Sequence, residues 1–305
     1  MACQFFRGKY LADRMLNNIK QEVFKRQVRP KLLAILVGED PASQVYVRHK
    51  ENACNHVGIA SEIIRVPETH STAMVSEILV DAGEREDVDG ILLQLPVPDH
   101  LDERFLCNLI PPTKDVDAHN AASIGNLVYG RGIFVPPTAS AVAHCIQENG
   151  IDTFGKRVLV VGRSRHCGLP ITLIMQGFRT HPELPDVADL YNIAASSDII
   201  ISAAGVPGLI RPQMIKEGAI LIDIGFSRKI SGSSVGKVRL MGDIHPDCRA
   251  RASFITPVPG GIGPLTVAHL VRNTLNAHLH ANGLPRVSLA SLCRPEFEDE
   301  FEYAS

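Results

Sequence analysis

The chain alternates short, nearly uninterrupted apolar runs with segments whose apolar positions recur every three or four residues. Unbroken runs of strand length belong to strands buried on both faces, so the pattern predicts an α/β protein with largely parallel sheets. Lys31–Val37, Ile59–Val66 and Val88–Leu95 read as strands, and Leu11–Arg26, Pro41–Val57 and Thr72–Ala82 as helices. The helix from Pro41 is the best punctuated: Asp40 can cap it, Pro41 suits its first position and Gly58 follows its end. A second α/β block opens near Val135, where Thr138 or Ser140 is expected to cap a helix running to Asn149. Val158–Val161, Asp198–Ser202, Ile220–Ile224 and Val238–Met241 follow as strands, and Pro264–His280 as a closing helix. The expected organisation is an amino-terminal domain over residues 1–134 with a 264–282 helix packing back on it, a second domain over 135–263, and a mobile tail over 283–305. That tail turns acidic between Glu296 and Glu302.

Composition narrows the class. In 305 residues, 31 Lys and Arg face 33 Asp and Glu, a net charge of −2 that gives no global attraction for nucleic acid or an anionic membrane. No apolar run reaches the ~18 to 20 residues of a membrane span. The 7 cysteines form no C-x-x-C pair, which argues against a zinc cluster or a disulfide framework. The 12 histidines form no H-E-x-x-H pattern, so no tightly held transition metal is expected, and His278 and His280 read as surface residues.

Tyr46 and Lys50 stand four apart on the capped helix and so share a face, with Ser43 one turn back. A lysine whose surroundings lower its pKa can supply a neutral amine near physiological pH. Gln94 lies near the end of the apolar run Ile91–Leu95, where its amide needs partners, and a lysine amine is one candidate. Asp117 adds a loop carboxylate after the Pro111-Pro112 break, suited to the paired N–H donors of a nitrogen heterocycle. Pro257 to Thr266 packs three glycines and three prolines, a rigid path along which backbone can approach a flat ligand. Val160-Val161-Gly162-Arg163-Ser164, followed by Gly168-Leu169-Pro170, has the general form of a dinucleotide turn between strand and helix.

Together, Ser43-x-x-Tyr46-x-x-x-Lys50, Gln94-Leu95-Pro96, Lys114-Asp115-Val116-Asp117, Gly162-Arg163-Ser164 and Pro257 to Thr266 occur in the order and spacing of one family. From about Gly8 to His280 the chain closely resembles the bifunctional methylenetetrahydrofolate dehydrogenase/cyclohydrolase family, nearest its mitochondrial NAD-dependent type. Short-chain dehydrogenases also use a Tyr-x-x-x-Lys pair, but after the dinucleotide turn, whereas here Lys50 precedes Gly162. The resemblance implies two α/β domains: an amino-terminal three-layer folate domain and a Rossmann-type NAD(P)-binding domain. It implies oxidation of 5,10-methylenetetrahydrofolate to the methenyl form with NAD or NADP, then hydrolysis to 10-formyltetrahydrofolate. Substrate would stack over Tyr46, with Asp117 at its pterin edge and Ser43, Leu95, Pro96, Pro259, Gly260, Gly261, Ile262 and Gly263 lining its site. Lys50 would assist proton transfer in the hydrolysis, held by Gln94 and Tyr46. The cofactor would meet Thr138, Gly162, Arg163, Ser164, Arg165, Phe226 and Arg228. The mitochondrial type also brings Mg2+ and phosphate, for which Arg163 and Arg228 are candidates. Tetrahydrofolate derivatives and a second copy in a homodimer are the expected partners, without nucleic acid or membrane, in mitochondria or cytoplasm.

Some positions depart from the family pattern. Ala118 and Ala141 stand where glycines are usual, so local strain is expected at both, and Phe226 replaces a smaller aliphatic residue. Between Gly168 and Asp198 the second Rossmann strand is expected to be missing. That loss would make a dehydrogenase-impaired or non-catalytic variant the alternative reading.

Overall fold

The computed structural model describes residues 3–178, 181–183, 189–230 and 238–288, with backbone alone at 181–183, 228–230 and 238–239. In chain order the elements begin with β1 (Gln4–Phe5), α1 (Gly8–Arg26), β2 (Lys31–Val37), α2 (Pro41–Val57), β3 (Ala60–Val66), α3 (Thr72–Glu84), β4 (Gly90–Leu93) and α4 (Glu103–Leu109). There follow α5 (Ala121–Val128), α6 (Pro137–Glu148), β5 (Arg157–Val161), α7 (Gly168–Gly177), β6 (His181–Glu183), α8 (Leu190–Ser196) and β7 (Ile199–Ser202). The last are β8 (Ile220–Asp223), β9 (Ser227–Ile230), β10 (Val238–Met241), β11 (Phe254–Ile255) and α9 (Ile262–Ala281). They form two compact units: an amino-terminal unit of Ala12–Asn120 with the chain from Leu270 on, and a second unit of Ala121–His269 with the chain up to Leu11. The two compact units part between Asn120 and Ala121, before α5. The first residues join the second unit because β1 pairs with β11.

In the amino-terminal unit β3, β2 and β4 form a parallel sheet with β2 at its centre. Leu32 to Val37 are all buried, and since alternate residues face opposite sides, both faces of the sheet are covered. On one face Leu33, Ile35 and Val37 pack with Val75 and Leu79 of α3 and Leu106 and Cys107 of α4. Helix α2 forms as its punctuation predicts: Asp40 Oδ2 accepts the Ser43 N–H at 2.7 Å, and Gly58 ends the helix with φ +85°. Its inward stripe of Ser43, Val47, Lys50, Cys54 and Val57 carries the lysine into the interior.

The carboxyl-terminal part of α9 completes this unit, with Asn273 Nδ2 donating to Val116 O at 2.9 Å. His278 is not the surface residue expected, because its Nδ1 lies 2.9 Å from Asp89 Oδ1, whereas His280 is exposed. The tail expected to be mobile from residue 283 begins as an ordered strap. Val287 is buried, its N–H donates to Asn276 Oδ1 at 2.7 Å, and its carbonyl accepts from Asn276 Nδ2 at 3.1 Å and Arg272 Nε at 3.2 Å. The acidic stretch lies outside the described residues.

In the second unit the strand order is β1-β11-β8-β7-β5-β6, parallel throughout. The chain reverses direction across the sheet at β5, whose neighbours are β6 and β7, which is where doubly wound sheets take their ligands. The strand expected to be missing is present. His181, Pro182 and Glu183 pair in parallel register with Arg157, Val158 and Leu159. Its outer position suits Pro182, since an edge strand need not donate on both sides. The ground for an impaired variant is therefore gone.

Neither Thr138 nor Ser140 caps α6. Pro136 occupies the cap position without a side-chain bond, and Pro137 starts the helix with the backbone angle that proline pre-sets. Ala141 lies within α6, where alanine is favoured over glycine, so the strain expected there is absent. At Ala118 the expectation holds: φ is +55°, and its N–H closes a turn onto Asp115 O at 2.9 Å.

Candidate active site

Three elements of the amino-terminal unit bring one group of polar side chains together. Helix α2 contributes Ser43, Tyr46 and Lys50, with Ser43 and Lys50 buried and Tyr46 half-buried. Gln94 is the first residue past β4, held by its N–H to Ile35 O at 2.9 Å, and its side chain is buried. The third element is the loop from Lys114 to Asn120, docked on β4 through Ile91 N–H to Lys114 O at 2.7 Å. Within it the buried carboxylate of Asp115 accepts the N–H groups of His119 at 3.1 Å and Asn120 at 2.8 Å. The loop thereby folds around one carboxylate and presents the next, Asp117, to the lysine.

Lys50 Nζ donates to Gln94 Oε1 at 3.2 Å and stands 3.6 Å from Asp117 Oδ2. Gln94 Nε2 donates in turn to Leu95 O at 2.7 Å, so both ends of the amide are fixed and its oxygen faces the amine. Ser43 Oγ, one face with Lys50, is buried and makes no hydrogen bond within the described residues. A buried hydroxyl in that state is costly unless a ligand completes it. Leu95 is half-buried and Pro96 exposed beside this group.

The remaining sequence-predicted residues lie in the second unit. Gly162 ends β5 with φ +128°, and a Cβ there would come within 2.5 Å of Ala203 O. A Cβ on Gly168 would overlap Gly162 O, so strand end, turn and helix start close on bare backbone. Arg163, Ser164 and Arg165 are exposed on this turn. Ser164 also takes on the helix start itself, its Oγ accepting Cys167 N–H at 3.1 Å and its carbonyl Leu169 N–H at 3.0 Å. Thr138 is half-buried in the first turn of α6, and Phe226 is half-buried after β8. Arg228 lies in β9 opposite Leu240, with its side chain outside the described residues. The Pro259 to Gly263 string packs on the start of α1: Lys9 N–H donates to Gly260 O at 3.1 Å, and a Cβ on Gly8 would overlap Gly261 O.

Sequence reasoning missed one cluster, the buried carboxylates of Asp223 and Asp243. Burial pushes the Asp223 carboxyl up to about 7, and the nearby Asp243 charge adds to the rise. The available signals were an aspartate closing the apolar run Ile220–Ile222 and the Gly242-Asp243 pair.

Two family models match. The tetrahydrofolate dehydrogenase/cyclohydrolase catalytic domain covers residues 6–117, and the tetrahydrofolate dehydrogenase/cyclohydrolase NAD(P)-binding domain covers residues 136–282. The chain is 41% identical over 283 residues to the bifunctional protein FolD of Moorella thermoacetica, covering 91% of this chain and 99% of the relative. It is 44% identical over 263 residues to the mitochondrial bifunctional methylenetetrahydrofolate dehydrogenase/cyclohydrolase 2 of Rattus norvegicus, covering 82% and 77%. Its fold matches the crystal structure of the Trypanosoma brucei methylenetetrahydrofolate dehydrogenase-cyclohydrolase, complexed with NADP and inhibitor, with a TM-score of 0.88 and 33% identity over 92% of this chain and 99% of that one. Matched along both units by family models and by relatives of this similarity, the chain belongs to the bifunctional tetrahydrofolate dehydrogenase/cyclohydrolase family.

Proposed function

We propose that the chain catalyses two consecutive steps of one-carbon folate metabolism. In the first, 5,10-methylenetetrahydrofolate is oxidised to the methenyl form with NAD+ or NADP+. In the second, that form is hydrolysed to 10-formyltetrahydrofolate. One observation carries the reading: a buried lysine amine held between an amide oxygen and a carboxylate, on a helix face that also offers a phenol and an unpartnered hydroxyl.

Hydrolysis of the methenyl cation needs water delivered to one carbon and a proton moved from that oxygen toward the ring nitrogen. Lys50 Nζ is the group to carry that proton, and Gln94 Oε1 fixes its direction. Tyr46 supplies a flat face for the pteridine, and Asp117 takes its N–H edge. Ser43 Oγ gains a partner when a polar group of the substrate enters.

The glycine-closed turn of the second unit fits a dinucleotide, because strand end and helix start close on the bare backbone of Gly162 and Gly168, where phosphates would approach, and charged residues stand beside it. Gly162, Arg163, Ser164 and Arg165 would hold it, with Thr138 and Phe226 further along the sheet's carboxyl edge. When bound, its nicotinamide supplies the hydride acceptor. The chain's own task in that step is alignment, which hydride transfer needs at ~3 to 3.5 Å. Among the described residues no group of three or more His, Cys, Asp or Glu side chains could hold a metal ion, and a magnesium ion bound together with phosphate would need only one or two carboxylates beside Arg163 and Arg228. The reading includes a homodimer, checked by light scattering on purified protein. It places the chain in mitochondria or cytoplasm, as relatives of bacterial and mitochondrial type support.

Assaying the purified protein for the two steps separately tests this function. Nicotinamide reduction with the methylene substrate and accelerated decay of the methenyl compound alone are expected. Absence of both would overturn it.

A further inference from the structure

The loops 203–205 and 224–226 leave the carboxyl ends of the adjacent parallel strands β7 and β8. Asp243, following β10 and fully buried, reaches between them. Its Oδ2 accepts from Ser202 Oγ at 3.0 Å, Ala204 N–H at 2.7 Å and Gly205 N–H at 3.1 Å. Its Oδ1 is buried, makes no hydrogen bond within the described residues and lies against Gly225, where any Cβ would overlap the carboxylate. The buried Asp223 holds Asp243 in turn: its Oδ1 accepts the Asp243 N–H at 3.1 Å and its Oδ2 the Ile244 N–H at 2.9 Å. A Cβ on Gly242 would overlap Asp223 Oδ2. Two carboxylates and two glycines are thus interlocked, with Asp223 fixing the backbone that carries Asp243, and Asp243 fixing the loop after β7.

Such an arrangement is expensive for a fold to keep. Two carboxyl groups are buried close together, and one carboxylate oxygen has no hydrogen bond within the described residues, whereas a neutral side chain would cap the same N–H groups at less cost. What it achieves is rigidity at the carboxyl edge of β7 and β8. In a doubly wound sheet that edge, beyond the switch point at β5, receives the half of a dinucleotide remote from its adenosine. Ser227 Oγ adds a further tie to the same loop, donating to Gly205 O at 2.8 Å.

We propose that Asp243 is a positioning residue for the nicotinamide dinucleotide, its carboxylate setting the backbone of residues 203–205 and 225 against which the cofactor binds. The inference rests on the dinucleotide reading of the second unit given above.

Full-length Asp243→Asn protein tests it by calorimetric titration with NAD+ and NADP+ in the absence of folate, hydrogen exchange of the 203–205 amides, and methenyl hydrolysis. The expected result is cofactor binding weakened at least about tenfold and faster exchange at 203–205, with hydrolysis, which draws on the amino-terminal unit, within about twofold of the parent. Unchanged cofactor affinity would overturn the proposal. Hydrolysis falling in step with binding would overturn it too, by showing a general structural role. Should Asp243→Asn fail to fold, Ser202→Ala, which removes one of the donors and keeps the charge, is judged by the same criteria with an expected loss of about threefold. If the parent protein binds neither dinucleotide, the function proposed for this unit fails, and this inference with it. Binding by the parent that Asp243→Asn and Ser202→Ala both retain in full sinks the inference alone.

Discussion

Asp223 should make the stability of the second unit depend on pH. Its carboxyl is raised from 3.8 to about 7, chiefly because burial disfavours the charge, with Asp243 adding repulsion. A carboxyl raised in the folded state favours folding while it stays protonated. The contribution is complete below the unfolded value near 4, is lost as pH climbs, and is gone above about 7. At ~1.4 kcal/mol for each tenfold change in proton affinity, a rise of this size amounts to a total on the order of 4 kcal/mol. Of this, roughly 2 to 3 kcal/mol disappears between pH 5 and pH 7. The perturbation is Asp223→Asn, which cannot ionise. Urea denaturation of parent and variant at pH 5, 6, 7 and 8 gives the difference in unfolding free energy at each pH. Any fixed penalty from the amide's poorer fit to the Asp243 and Ile244 N–H groups cancels when those differences are compared. The variant should gain on the parent by roughly 2 to 3 kcal/mol from pH 5 to 7, then run parallel to it. Curves parallel over the whole range would refute the reasoning, since they would mean that Asp223 titrates alike in folded and unfolded chains.

Other consequences are simpler. Gly162→Ala places a Cβ at φ +128° within 2.5 Å of Ala203 O, so it should cost about 2 kcal/mol or more and weaken NAD(P) binding; thermal melts with and without dinucleotide check both. Asn276→Ala removes both bonds to Val287 and should cost about 1 to 3 kcal/mol, with faster proteolysis after residue 283. The ion pairs of Glu62 with Arg85 and Lys31 hold the Glu62 carboxyl down to about 2, but all three side chains are partly exposed, so Glu62→Gln should cost under ~1 kcal/mol and less still in high salt.

What could be read from the sequence was what local physics decides. Asp40, Pro41 and Gly58 each act within one helical turn, so the bounds of α2 were legible and with them the shared face of Tyr46 and Lys50. Gln94 was legible by contradiction, as an amide closing an apolar run, and its partner is the lysine. β6 was not legible: His-Pro-Glu has neither apolar character nor strand propensity, and it pairs because β5 leaves an open edge beside it. Asp243 was hidden for a similar reason. Its partners come from Ser202 to Gly205 and its support from Asp223, all distant in sequence, and the one local hint was a glycine before it. Ala118 shows the converse, where a residue type out of place marked a left-handed turn beside Asp117.

Lys50 is central as the proton carrier proposed for the hydrolytic step, and the most direct test of that role is Lys50→Gln protein assayed for each step in isolation. Methenyl hydrolysis should fall by about 10² to 10⁴, the usual worth of a general acid–base group, while hydride transfer to nicotinamide falls by less than about tenfold. Hydrolysis at the parental rate in the variant would contradict it.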